Sequence, residues 1–138
     1  MEFNYDGFPK QKWIELYTDL REKNWIELDG WYYGCIRVGD LCFDSRVVAA
    51  YDRDDCKECF VDFDLYVGGI DSGYGYGKDN YPYEFIDDGV VFEINQFFDL
   101  ITYEEFCKEF EKKATEIINW NDKYYGTVVK ANEPLHVW

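Results

Sequence analysis

With 138 residues and a formal net charge of −15, the chain is long enough for one domain that buries roughly two thirds of its unfolded surface. A hydrophobic fraction of 47% with 21% aromatics excludes a disordered acidic tail, which lacks the apolar area needed to offset the entropy of ordering. The acidic excess disfavours direct binding to nucleic acid or to an anionic membrane, whose phosphates repel it, and favours a basic partner.

Phe3, Tyr5 and Phe8 open the chain, and Pro9 fits a first helical position, where a missing amide hydrogen costs nothing. Trp13, Leu16, Tyr17 and Leu20 recur at i, i+3, i+4 and i+7, predicting an amphipathic helix over about residues 9–23 that Asn24 terminates. Residues 25–28 and 31–38 flank Asp29-Gly30, the pattern of a two-residue hairpin whose central residues both take positive φ. Gly39-Asp40 repeats that signal before residues 41–43, and residues 46–51 read as a fourth strand.

A polar corner at 52–57 leads into the most regular stretch. Period-two alternation puts Val61, Phe63, Leu65 and Val67 on a core face and Phe60, Asp62, Asp64 and Tyr66 on a wet one. A glycine and tyrosine loop at 68–80 is followed by a strand through Ile86, with Pro82 suiting a strand start or a sheet edge. Asp88-Gly89 then reads as a hairpin into residues 90–95. Thr102 with Glu105 fits a capping box, and Tyr103, Phe106, Phe110, Ala114 and Ile117 make a helical stripe. Residues 124–130 suit a closing strand, and residues 134–138 a loosely docked tail. The expectation is a single α+β domain: an antiparallel sheet of six or seven strands, with an N-terminal helix and a longer C-terminal helix on one face.

Catalysis is poorly supplied. His136 is the only histidine, so a histidine triad or a histidine-rich metal site is not expected, and the reading is a non-enzyme without a cofactor. The loop Gly73-Tyr74-Gly75-Tyr76-Gly77-Lys78 lacks both the Ser/Thr after its lysine and the following helix that a phosphate cradle needs. Asp52-Arg53-Asp54-Asp55 starts like a calcium loop, but Lys57 and Phe63 occupy the positions that require Gly and Glu. Asp62 and Asp64 with Asp52 or Glu84 suggest a divalent cation less well than they suggest solvated aspartates.

Cys35, Cys42, Cys56, Cys59 and Cys107 are an odd set that reads as free, mostly buried thiols. A four-thiolate zinc site from Cys35, Cys42, Cys56 and Cys59 is the sharper alternative, weakened by the wide spacing of the first pair. Thioredoxin-like chemistry is weaker still, because Cys59 leads into a strand. No stretch approaches the roughly 20 apolar residues of a membrane span, and residues 1–12 lack the apolar segment of a signal peptide, so a cytoplasmic location is expected.

Residues 52–93 hold twelve acids against three bases, and thus most of the net charge. Same-face residues on a strand lie roughly 6.6 Å apart, of the order of phosphate separations along a nucleic acid, and tyrosine is enriched at interface hot spots. The expected partner-binding set is Asp52, Asp54, Asp55, Asp62, Asp64, Tyr66, Asp71, Tyr74, Tyr76, Asp79, Tyr81, Tyr83, Glu84, Asp87 and Asp88. Its expected partner is a basic protein, either a nuclease or another nucleic-acid-binding protein. Occupying a basic groove in this way is the strategy of phage and mobile-element anti-restriction and anti-CRISPR proteins. Two alternatives remain: an immunity protein for a basic toxin, and a small-molecule binder with an aromatic pocket under the Gly/Tyr loop.

Overall fold

A computed structural model describes residues 2–39, 41–52, 55–67 and 84–125, except for the side chains of residues 51, 52, 55, 56, 66, 67, 84–88 and 120–125. Nine elements follow in order: β1 (Phe3–Asn4), α1 (Lys10–Glu22), α2 (Trp25–Leu28), β2 (Tyr32–Val38), β3 (Leu41–Asp52), β4 (Asp55–Val67), β5 (Glu84–Glu93), α3 (Ile94–Asp99) and α4 (Tyr103–Tyr125). The strands form one antiparallel sheet in sequence order, so every neighbour in space is a neighbour in the chain.

One face of that sheet carries the core. Ile36, Val38, Leu41, Phe43, Val47, Val61, Phe63, Leu65, Val90 and Phe92 are buried on it, and the helices cover them with Trp13, Leu16 and Leu20 from α1, Phe97 from α3, and Phe106, Phe110, Ala114 and Ile118 from α4. Phe63 is the hub: its ring lies 5.0 Å from Phe110, 5.6 Å from Phe8, 5.7 Å from Phe106 and 6.1 Å from Phe92. Such edge and tilted ring pairs add about 0.5–1.5 kcal/mol each beyond the area they bury. Polar ties fix the helices to the rest: the Tyr103 hydroxyl donates to the Phe8 carbonyl, Tyr17 to the Phe98 carbonyl, and Tyr5 to the Glu111 carboxylate.

The alternation expected for residues 60–67 holds wherever its side chains are described: Val61, Phe63 and Leu65 are buried, and Phe60, Asp62 and Asp64 are only partly covered. Both amphipathic helices form, and Thr102 Oγ1 accepts the Glu105 amide as a cap should. The Gly39 turn joins β2 to β3 with Val38 opposite Leu41.

The sheet has five strands, not six or seven, among the described residues. Residues 25–28 are helical because the Asn24 side chain accepts the Ile26 amide and the Trp25 indole donates to the Leu20 carbonyl, so Asp29-Gly30 is a helix-to-strand turn. Asp29 then accepts the Ala49 amide, and Gly30 donates to the Val47 carbonyl. Residues 41–43 and 46–51 belong to one strand, because Phe43, Ser45 and Val47 all turn inward without a break. Asp88-Gly89 is not a hairpin: the register passes from Asp64 opposite Gly89 to Leu65 opposite Ile86, so the chain bulges and continues as β5. A Cβ at Gly89 would lie 2.5 Å from the Phe63 carbonyl oxygen, so only glycine permits this approach. Residues 94–95 open α3, capped reciprocally by Glu93 and Gln96. Residues 124–125 end α4, and the remainder of the expected closing strand lies outside the described residues, as does the expected tail.

Phe63→Ala is expected to cost about 3–5 kcal/mol, and Phe60→Ala on the opposite face about 1 kcal/mol or less. The urea midpoints of the two variants measure that difference.

Candidate functional site on the outer sheet face

The face of the sheet turned away from the core is polar at its centre. Cys35 stands opposite Asp44, and Asp44 opposite Asp64, giving one rung across β2, β3 and β4 that ends at Gly89 on β5. The adjacent rung aligns Arg46, Asp62 and Val91, and the one beyond aligns Val48, Phe60 and Glu93. On the other side, Arg37 faces Cys42, which faces the backbone of Tyr66.

Charge on this face is partly cancelled. Arg46 Nε lies 2.9 Å from Asp64 Oδ2, an ion pair whose carboxylate is mostly covered while its guanidinium stays partly exposed. Burial, and then the Asp64 carboxyl beside it, push the Asp62 carboxyl up to about 7 against the pull of Arg46. Asp62 therefore keeps its proton to a higher pH than an ordinary aspartate. It leans over the bulge, because a Cβ at Gly89 would come within 3.2 Å of Asp62 Oδ1. Asp44 is buried on this face and accepts from the Cys42 thiol at 3.4 Å.

Of the fifteen residues expected to bind a partner, the structure brings Asp62 and Asp64 together as outward neighbours on β4. Asp52 and Asp55 pair at the β3–β4 turn, Tyr66 stands opposite Cys42, and Glu84 stands opposite Val67; Asp87 and Asp88 fall at the β5 bulge. Only the backbone of those six is described. Asp54, Asp71, Tyr74, Tyr76, Asp79, Tyr81 and Tyr83 lie outside the described residues, as do the phosphate-like loop at 73–78 and His136. The register argues against a cation site shared by Asp62, Asp64 and Asp52, since Asp52 pairs with Asp55, seven residues along β4 from Asp62, and Arg46 occupies Asp64; Glu84, opposite Val67, is described by its backbone alone. The four-thiolate site is split as well: Cys59 is packed in the core, while Cys35 and Cys42 are on the other face.

Two features had no sequence signal strong enough to find them. Asp44 and Arg46 are separated from Asp62 and Asp64 by a hairpin, so their meeting depends on register alone. Trp31 and Tyr32, 59% and 51% exposed, line an open groove of about 450 Å³ with Ile14, Glu15 and Asp19 of α1. Reading residues 25–38 as a hairpin hid that groove. Beneath it the Tyr33 hydroxyl donates to Asp19 Oδ2, and burial raises the Tyr33 phenol well above its usual range. Cys107 is no activated nucleophile either, since burial pushes its thiol up, with Tyr103 and Tyr5 opposing.

No described helix is long and apolar enough to cross a membrane. No family model, no curated protein and no solved structure matches this chain.

The folded protein keeps the Asp62 proton between about pH 4 and pH 7, where the unfolded chain has already lost it, so stability from this group is full below pH 4 and lost as pH rises through 7. Asp62→Asn is therefore expected to raise the melting temperature by a few degrees at pH 8 and to leave it nearly unchanged at pH 4. Thermal scans of both proteins across that range provide the check.

Proposed function

We propose that this protein is an acidic protein-binding inhibitor that covers the basic groove of a nuclease or another nucleic-acid-binding protein, in the manner of anti-restriction and anti-CRISPR proteins. It acts by binding and carries out no catalysis. The observation that carries this reading is the outer face of β4 and β5, where Glu58, Asp62, Asp64 and Glu93 surround half-buried Phe60 and 45% exposed Val91 on a chain of net charge −15. Acids around an apolar centre match the anatomy of a protein interface, in which charge steers the encounter and desolvated side chains hold the complex. The ion pair at Asp64 and the proton on Asp62 favour complementarity to a basic protein surface over literal imitation of a phosphate row. A basic toxin would meet the same face, so the identity of the partner separates an inhibitor of nucleic-acid enzymes from an immunity protein.

Immobilised protein exposed to a bacterial lysate at low salt is expected to retain a basic nucleic-acid-binding protein that elutes as salt rises, because screening shortens to about 10 Å at 0.1 M. Added DNA should compete with the outer face for the basic groove of the retained protein. Glu58→Lys with Val91→Lys, both exposed on this face and neither a helix cap, should weaken retention tenfold or more while shifting the melting temperature by under about 2 °C. Capture that is insensitive to salt and to this double substitution would overturn the assignment of the face.

A further inference from the structure

We propose that Cys35, Cys42 and Asp44 bind a thiophilic divalent metal ion, zinc by its chemistry, on the outer face of the sheet. This goes beyond the partner-binding reading and does not depend on it. The two sulfur atoms and a carboxylate oxygen all lie within 4.8 Å of one another, and all three residues are buried. Cys42 and Asp44 are two residues apart on β3 and so share a face, and Cys35 stands opposite Asp44 on β2. The Cys42 thiol already donates to Asp44 Oδ1, so thiol and carboxylate converge on one point.

Cysteine usually behaves as a small core hydrophobe, and Cys59 does so here. Cys35 and Cys42 instead sit together on the face that the core does not use, beside a carboxylate. Two sulfurs and one oxygen suit zinc and its soft congeners; magnesium and calcium require shells made of oxygen. A tetrahedral shell with Zn–S of about 2.3 Å places its sulfurs about 3.8 Å apart, so side-chain shifts of roughly 1 Å close the site. The fourth position falls to water. On binding, both thiols lose their protons to solvent, and the resulting charge of −1 at the centre lies on the same face as Arg37 and Arg46.

Each metal ligand comes from the hairpin of β2 and β3, so a bound ion would staple its rungs and raise the stability of the chain. The test uses the full-length protein, reduced and stripped with a chelator, then titrated with cobalt(II). A thiolate-to-cobalt charge-transfer absorption saturating at one ion per chain, displaced by zinc, is the expected result, with a zinc-dependent rise in melting temperature. Cys35→Ser and Cys42→Ser should each abolish the absorption, Asp44→Asn should weaken cobalt affinity by ten- to a hundredfold, and Cys107→Ser should leave it unchanged. Absence of the absorption and of the zinc-dependent shift in the reduced wild type would overturn the proposal whatever the variants do. Its persistence in the Cys35→Ser, Cys42→Ser double variant would also overturn it.

Discussion

The placement of Phe63 governs the rest of the molecule. Its ring is where rings from the N-terminal segment, the neighbouring strand and the long helix meet. Once that side chain points inward, strand geometry leaves no choice for its neighbours: Asp62 and Asp64 must point outward, and so must the residues opposite them. A slip of one residue would turn Phe63 outward and drive two carboxylates into a core that holds six other fully buried phenylalanines, at a cost comparable to the stability of a domain this size.

That constraint turns the sheet into a two-sided device. The inner face is apolar and covered by three helices, which makes it a rigid support. The outer face gathers Asp44, Asp62, Asp64, Arg37, Arg46 and two thiols within a few rungs, where they interact in a partly desolvated setting. There the usual rules for surface charge fail. One aspartate is paired with an arginine, one has its carboxyl pushed above the usual range by burial, and one is buried against a thiol. The proposed partner-binding surface, around Phe60, Val91, Glu58 and Glu93, is continuous with this cluster along β4 and β5.

Local signals were legible where they involve residues close in the chain. The stripe from Trp13 to Leu20 and the one from Phe106 to Ala114 are read from spacing alone, and so is the alternation about Phe63. The hairpin signals fared differently. Gly39 turns the chain as its type requires, whereas Asp29-Gly30 follows a helix that the Asn24 cap and the Trp25 indole stabilise, and Asp88-Gly89 is absorbed as a bulge. An Asp-Gly pair reports only that positive φ is cheap; whether the strands on either side face each other depends on where their apolar residues can pack. Val90 and Phe92 pack beside Phe63 and Val61, so β5 remains a single strand against β4.

Composition and periodicity therefore determined that this chain folds as α+β, that its two principal helices exist and that one side of β4 is acidic, because hydrophobic period is a property of adjacent residues. Which acids keep their charge was decided only by the tertiary structure. So was the meeting of Cys35 and Cys42 with Asp44, the partnership of Arg46 with Asp64, and the exclusion of Cys59 from any site they form. These are cross-strand relations, set by turns and bulges that move a whole register at once, and no spacing along the chain encodes them.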